Sequence, residues 1–413
     1  MTAIHSSAEY ARPEVPARHG SAAFSLEEYA ARLAAVQGRM AERGLAGLVV
    51  VDPANIYYLC GYNAWSFYVP QCLVVPADGA PHLFARAMDA QGAHWTAALP
   101  REQVHGYPET LVHHPENHPF AWITRRAVEV GVLNDEPGAL VGAEMDAHYF
   151  SPRGFQALTD ALARAQVVDC AELVNWVRLV KSPEEVEALR SAGRVATAVM
   201  EVALAGIREG RRQCDVVAEI QQAQALGSGV LGGDYPAIVP MLPTGESAGT
   251  PHLTWSDTVL RAGEASTVEV AGVYRRYHAP LARTVALGRP ARRLIECASA
   301  VGEGMEAALE ELRPGRTAAD AHRAFSRVIE RHGLTKDSRI GYSIGIGYPP
   351  DWGERTVSLR AGAETVLAAG MAFHVILGMW MDGWGYETSE SVVLTDRDAE
   401  VLTHIPQGLT IKE

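Results

Sequence analysis

Glu269-Val270-Ala271-Gly272-Val273-Tyr274-Arg275-Arg276-Tyr277-His278-Ala279-Pro280-Leu281-Ala282-Arg283-Thr284 is the stretch on which the reading of this 413-residue chain turns. Val268–Ala271 and Ala282–Leu287 on its flanks read as strands of a sheet. Glu269 puts a single carboxylate into the first of them. Pro280, eleven residues later, has no side-chain donor atom, so it can neither ligate a metal nor move a proton.

Working outward, further strands are expected at Ala372–Leu377 and Ser391–Leu394, separated by Gly-rich turns, as in an α+β sheet. A faint internal repeat runs through the same half. Arg208-Glu209-Gly210-Arg211 is followed by Asp215, and Arg313-Pro314-Gly315-Arg316 by Asp320 at the same offset, each ahead of a helical pattern. Ser182-Pro183-Glu184-Glu185 is a capping box with proline at the first helical position, where its missing N–H costs nothing. It opens a long amphipathic helix. A domain boundary is expected just before it, dividing a smaller α/β N-terminal domain (24–171) from a catalytic domain (172–413). In the N-terminal domain, Ser25-Leu26-Glu27-Glu28 is a second capping box, for a helix through Met40 that stops near Gly44. Leu48–Val51 reads as a buried strand, and Asp52-Pro53-Ala54-Asn55 as a turn. Residues 1–23 are expected to be a flexible tail.

Composition narrows the function. With 48% hydrophobic residues the chain can build two cores. Its 36 Lys and Arg against 49 Asp and Glu leave a formal charge of −13. No basic run or helix stands out, so no nucleic-acid partner is expected. No apolar run reaches membrane-spanning length, and the N-terminus lacks a signal-peptide core. Five scattered cysteines without a CxxC fit a reducing cytoplasm, not a disulfide framework.

The strand pair and the repeat resemble the pita-bread enzymes: creatinase, prolidase, aminopeptidase P and methionine aminopeptidase. The resemblance implies a pseudo-twofold catalytic domain behind a creatinase-like N-terminal domain. Metallopeptidases of that family hold two metals with five ligands. The matching positions here are Glu269, Pro280, Tyr342 (in Gly341-Tyr342-Ser343-Ile344-Gly345), Ile376 (in His374-Val375-Ile376-Leu377-Gly378) and, within a residue of register, Thr388-Ser389-Glu390-Ser391-Val392-Val393. Only Glu269 clearly keeps a carboxylate, and one carboxylate does not hold a dinuclear centre. No metal and no cofactor are therefore expected.

Longer strings narrow the resemblance. Gly232-Gly233-Asp234-Tyr235-Pro236-Ala237-Ile238-Val239-Pro240-Met241-Leu242-Pro243-Thr244-Gly245 is similar to the ectoine hydrolases. So are Pro251-His252-Leu253-Thr254-Trp255, the Gly61–Tyr68 segment, Tyr277-His278-Ala279-Pro280, and Tyr348-Pro349-Pro350-Asp351-Trp352-Gly353-Glu354-Arg355. This implies metal-independent opening of a zwitterionic cyclic amidine, the ring of ectoine or 5-hydroxyectoine, to an N-acetylated diaminobutyrate. Glu269 is then the nucleophile or general base. His252 is a candidate proton donor to the leaving nitrogen, the role for which an imidazole side chain is suited. Tyr277 completes the expected catalytic set. Aromatic faces attract flat cations, so Trp65, Tyr68 and Trp352 are candidates to line the pocket. Asp351, Glu354 and Glu387 either hold the amidinium N–H groups or form fold-stabilising salt bridges. Tyr342, His278 and His374 are further substrate-binding candidates. The resemblance also implies a homodimer, with the Trp65–Tyr68 loop near the partner's cleft.

Some positions depart from that family's pattern. Pro70 replaces an expected His, which removes a donor and stiffens the loop. Asn63 stands for an Asp. Ile376 lies in an altered strand end, and Tyr386, beside Glu387, would narrow the pocket or add a hydroxyl. A divergent enzyme acting on, or forming, another small amidine or amino-acid-derived substrate is therefore the alternative. A non-catalytic partner-binding protein on the same scaffold is a third.

Overall fold

The computed structural model describes residues 23–413, so the expected tail falls outside the described residues except for Ala23. Ser25 caps α1 (Leu26–Glu42), its hydroxyl accepting the Glu28 N–H at 3.1 Å. The reciprocal half of the expected box does not form. Glu28 instead turns its carboxylate to Arg32 (2.8 Å) and to the Ser182 hydroxyl (2.7 Å), which ties the helix to the catalytic half. Gly44, at φ +65°, takes the left-handed position beyond the helix end. After β1 (Leu45–Val50), the expected turn at Asp52 is a helix start instead. Asp52 accepts the Ala54 N–H at 2.8 Å, and Pro53 opens α2 (Pro53–Cys60). Asp-Pro serves turns and helix N-termini alike, and here the apolar run behind it, buried throughout, decides for the helix.

The N-terminal half continues with β2 (Cys72–Pro76), β3 (His82–Arg86), the short helices α3 (Ala87–Ala90) and α4 (Ala93–Thr96), and β4 (Val104–Tyr107). Then come α5 (Pro119–Glu129), β5 (Leu140–Ala143), α6 (Pro152–Ala161) and β6 (Gln166–Asp169). Its six strands form one mixed sheet in the order β4-β3-β2-β1-β5-β6. One face buries Val49, Phe84, Phe120 and Leu158; the other packs Tyr57 and Tyr58 into a core shared with Tyr277, Ile344 and Tyr348 of the C-terminal half. The two halves are thus joined by a common apolar core.

A polar chain crosses the same junction. α7 (Leu173–Arg178) supplies Asn175 and Arg178, which bond Asn55 on one side (2.8 and 2.6 Å) and the Glu354 main chain and carboxylate on the other. Glu144 accepts from Asn55 and from two main-chain amides at the start of α2.

In the C-terminal half the repeat is plain. α8 (Pro183–Gly206), α9 (Gln213–Leu226) and the hairpin β7 (Ala265–Tyr274)–β8 (Tyr277–Leu287) make the first unit. α10 (Arg292–Glu311), α11 (Ala318–Arg331), β9 (Gly341–Tyr348), β10 (Asp351–Ser358), β11 (Ala372–Met381) and β12 (Trp384–Leu394) make the second. With β13 (Ala399–Val401) and β14 (Thr410–Lys412) an eight-stranded path results, β13-β12-β11-β9-β8-β14 among its members, with β7 paired to β8 and β10 to β9. Both halves of the Ser182 box form at the start of α8.

Strand alternation decides what faces the site. Val268 and Val270 of β7 pack on Val195 and Val199 of α8. At Gly272 on the same face, an added Cβ would lie 2.0 Å from the Ala196 nitrogen, so only glycine permits this approach. Phe373, Val375 and Leu377 of β11, with Tyr386 and Val392 of β12, pack against α10 and α11. Residues on the opposite faces of these strands look into the space between the two units.

Candidate active site

A cavity of about 500 Å³ occupies that space. β7 contributes Thr267 and Glu269, β9 Tyr342, β10 Asp351, β11 Ile376 and β12 Glu387. Loops add His252, Lys336 and Arg339. Glu269 and Glu387 are 6% and 4% exposed, and among the described residues neither carboxylate takes a hydrogen bond. Buried carboxylates without donors are costly unless they are protonated or meet a ligand. Burial, and then the Asp351 charge, push the Glu269 carboxyl up to about 7. Burial, and then Glu269, hold Glu387 well above the ordinary carboxylate range, while Lys336 pulls the other way. Each charge thus disfavours the other, so the two carboxyls resist ionising together on one cavity wall.

Behind the carboxylates lies a relay of hydrogen bonds. The Ser389 hydroxyl accepts the Ala282 N–H (2.7 Å) and meets His374 Nε2 at 2.7 Å. His374 Nδ1 meets the Tyr342 hydroxyl at 3.0 Å, and Trp352 Nε1–H donates to that same oxygen at 2.8 Å. Burial lowers His374 to about 3, so the ring is neutral. In the tautomer that carries its proton on Nδ1, Ser389 donates to Nε2 and Nδ1–H donates to Tyr342. The Tyr342 oxygen then accepts twice, and its own hydrogen is left to point into the cavity.

Of the residues expected at the site, Glu269, His252, Tyr342, Asp351 and Glu387 line this cavity. His252 is exposed at its rim, with φ +66°. Trp352 and His374 stand one layer behind, holding Tyr342. Tyr277 does not reach the cavity. Its hydroxyl is buried in the inter-domain core, donating to Glu185 (2.7 Å) and accepting from Arg32 (3.3 Å), because strand alternation turns it away. Glu354 is spent on a buried ion pair with Lys181 (2.6 Å) and Arg178 (3.4 Å). His278 is buried, donating from Nδ1 to the Arg276 carbonyl and accepting the Ala237 N–H at Nε2; it braces the 232–245 loop.

The aromatic loop lies outside the cavity lining. Trp65 is 58% exposed and packs on Phe67 and on Tyr235 of its own chain, and the Tyr68 hydroxyl accepts from Arg86. Of the departing positions only Ile376 lines the cavity. Tyr386 points into the α10–α11 core, on the opposite strand face from Glu387, and does not narrow the pocket. The Asn63 side chain accepts from the Tyr348 hydroxyl at 2.7 Å. Pro70 lines a separate surface groove.

Sequence reasoning missed Lys336 and Arg339, which lie in the irregular segment between α11 and β9 and carry no periodic signal. It also missed β9 and β10 as strands, since Gly341, Gly345, Gly347 and Gly353 read as turn residues. In the segment that resembles the last metal-ligand strand, Ser389 pairs with Ile376, while Glu390, its neighbour, is taken by Arg283 (2.7 Å) and Thr403 (2.6 Å). A two-metal centre does not fit these residues. Ile376 and Pro280 offer no donor, and among the described residues no group of three or more His, Cys, Asp or Glu is arranged to hold a metal ion.

Comparison with known proteins agrees with this architecture. Residues 187–396 match the model of metallopeptidase family M24, and residues 32–180 that of the creatinase/prolidase N-terminal domain. The ectoine hydrolase of Halomonas elongata is 42% identical over 395 residues, covering 94% of this chain and 98% of that protein. An uncharacterized hydrolase/peptidase of Sinorhizobium fredii is 39% identical, covering 94% and 99%. Among solved structures, dipeptidase PepE of Mycobacterium ulcerans superposes with a TM-score of 0.77 at 27% identity, covering 94% of this chain and 99% of its own. A prolidase of Thermococcus sibiricus reaches 0.78 at 20% identity, covering 93% and 99%, and speaks for the fold alone.

Proposed function

This chain belongs to metallopeptidase family M24, with a creatinase/prolidase N-terminal domain, and is a hydrolase of C–N bonds; we propose that it opens a cyclic amidine of the ectoine type without a metal. The observation that carries the proposal is the pair of buried, unpartnered carboxylates, Glu269 and Glu387, facing a cavity that Tyr342 and Ile376 also line.

An amidinium is flat and cationic, and its central carbon is electrophilic. Glu387 and Asp351 can accept its N–H groups, and the cation's charge lowers the cost of ionising Glu269. Two routes then fit Glu269: attack on the amidine carbon itself, or removal of a proton from a water that attacks. Either way a C–O bond forms and the carbon becomes tetrahedral. The Tyr342 hydroxyl, held by Trp352 and His374, supplies a fixed donor beside it. Collapse breaks one ring C–N bond, and the leaving nitrogen takes a proton, for which His252 at the rim is the candidate donor. On the direct route a water then cleaves the C–O bond to Glu269 and frees the carboxylate; on either route one water is consumed, and the product is an acetamide on one nitrogen with a free amine on the other.

The 42% identity to an ectoine hydrolase supports this substrate class. No helix among the described residues is long and apolar enough to cross a membrane, which fits a small polar substrate met in solution. A homodimer is part of the proposal, and light scattering at micromolar concentration tests it; a monomer would remove it. The activity is tested by proton NMR of the protein with ectoine and 5-hydroxyectoine. An open-chain acetamide is expected, and unchanged spectra of both compounds with folded protein would sink the assignment.

A further inference from the structure

The cavity holds two cations that the chemistry above leaves unused. Lys336 and Arg339 line it from the segment between α11 and β9, whereas the carboxylates come from the strands. Lys336 is half-buried and spends one donor on the Gly378 carbonyl (2.6 Å). Arg339 stacks over the Tyr342 ring at 4.4 Å and spends one nitrogen on the Ser358 hydroxyl (3.2 Å). Among the described residues neither forms an ion pair, although the chain has thirteen more acidic than basic side chains. Most buried cations elsewhere behave differently: Arg32, Arg178, Lys181 and Arg283 are each matched to a carboxylate, while Arg276 is spent on the Tyr235 and Gly347 carbonyls. A lysine loses solvation when half-buried, so leaving two of its three donors unspent at a cavity wall is unfavourable until an anion arrives. Arg339, anchored by its ring contact, presents a planar fork of donors to the same space.

Resting on the cyclic-amidine reading, we infer that Lys336 and Arg339 form an anion end of the cavity and take the carboxylate of an amino-acid-derived ring, while its cationic end faces Glu269, Glu387 and Asp351. The site then reads both charges of a zwitterion. A purely cationic ring satisfies only one end, and a neutral ring neither. Specificity follows from the same contacts, because a ring without a carboxylate leaves half-buried Lys336 without an anion and the exposed Arg339 fork without its partner.

The test compares rings that differ only in the carboxylate. Binding by calorimetry and turnover by NMR are measured for ectoine and for the same methyl-tetrahydropyrimidine without its carboxylate. A second pair, proline and pyrrolidine, is measured for binding alone. Wild type, Lys336→Met, Lys336→Arg and Arg339→Gln are used, each checked for its melting temperature. Wild type should bind the carboxylated member of a pair about ten- to a hundredfold more tightly, the loss expected for one or two charged hydrogen bonds. Lys336→Met and Arg339→Gln should erase that preference through KM without weakening binding of the decarboxylated ring, and Lys336→Arg should restore part of it. Equal weakening for both members of a pair would show that Lys336 only balances the carboxylates, and would overturn the inference. No preference in wild type would do the same. A carboxylate preference that depends on these residues, without turnover of ectoine, would keep the anion end and discard the proposed substrate.

Discussion

Replacing Glu269 by Gln should make the protein more stable and inactive at once. The carboxylate is 6% exposed, receives no hydrogen bond and lies near the Asp351 charge, so folding raises its carboxyl from the ordinary 4.5 to about 7. At about 1.4 kcal/mol per pH unit, holding it ionised well above pH 7 costs the native state about 3 kcal/mol. The native state binds this proton more tightly than the unfolded chain. The stabilising contribution is therefore complete below about pH 4.5 and is lost as pH rises through about 7. Gln keeps the shape without the charge and should not follow that fall. Calorimetric melting at pH 5 and pH 8 reads the effect: nearly equal melting at pH 5, and a variant higher by several degrees at pH 8. Hydrolysis should fall by about a hundred- to ten-thousandfold, the range for loss of a general base. A variant that melts below wild type by the same margin at both pH values would refute the argument, because Glu269 would then be a satisfied structural carboxylate.

Tyr342→Phe should lower stability by about 2–4 kcal/mol in urea unfolding, since the Trp352 and His374 N–H groups lose their shared acceptor. Its turnover should also fall, and a variant as stable as wild type would contradict the assigned relay. Glu354→Leu leaves Lys181 and Arg178 buried without their carboxylate and should cost about 3–5 kcal/mol, with KM of the surviving folded enzyme unchanged; a raised KM would return Glu354 to the substrate. Gly272→Ala drives a methyl to 2.0 Å from the Ala196 nitrogen and 2.3 Å from the Ala192 carbonyl oxygen. It should melt lower by the equivalent of about 1–3 kcal/mol or more, and unchanged melting would show that α8 can yield there.

Much of this architecture could be read in the residues. The Ser182 box, the 105-residue echo between Asp215 and Asp320, and the strand at Glu269 each rest on local chemistry that survives in the fold. What escaped was set by neighbours distant in sequence. Tyr277 stands beside the signature but faces the inter-domain core, a consequence of which strand face meets α1 and α8. Glu354 resembles a cleft carboxylate until Lys181, 173 residues away, is seen to claim it. Tyr386 and Glu387 are adjacent, and a period of two already separates them onto opposite faces. Lys336 and Arg339 had no such pattern, because an irregular segment shows its direction only once α11 and β9 are placed. Asp52-Pro53 failed for a different reason: helix caps and turns use the same side-chain bond.

The most direct measurement is turnover of ectoine by chelator-treated protein, with metal content determined on the same sample and again after adding manganese, cobalt or zinc. A site built on Glu269, Glu387 and Tyr342 predicts an unchanged rate at far less than one metal per chain, no stimulation by any of the three ions, and loss of the rate in Glu269→Gln. A rate that disappears with the metal and returns with a divalent ion would contradict it.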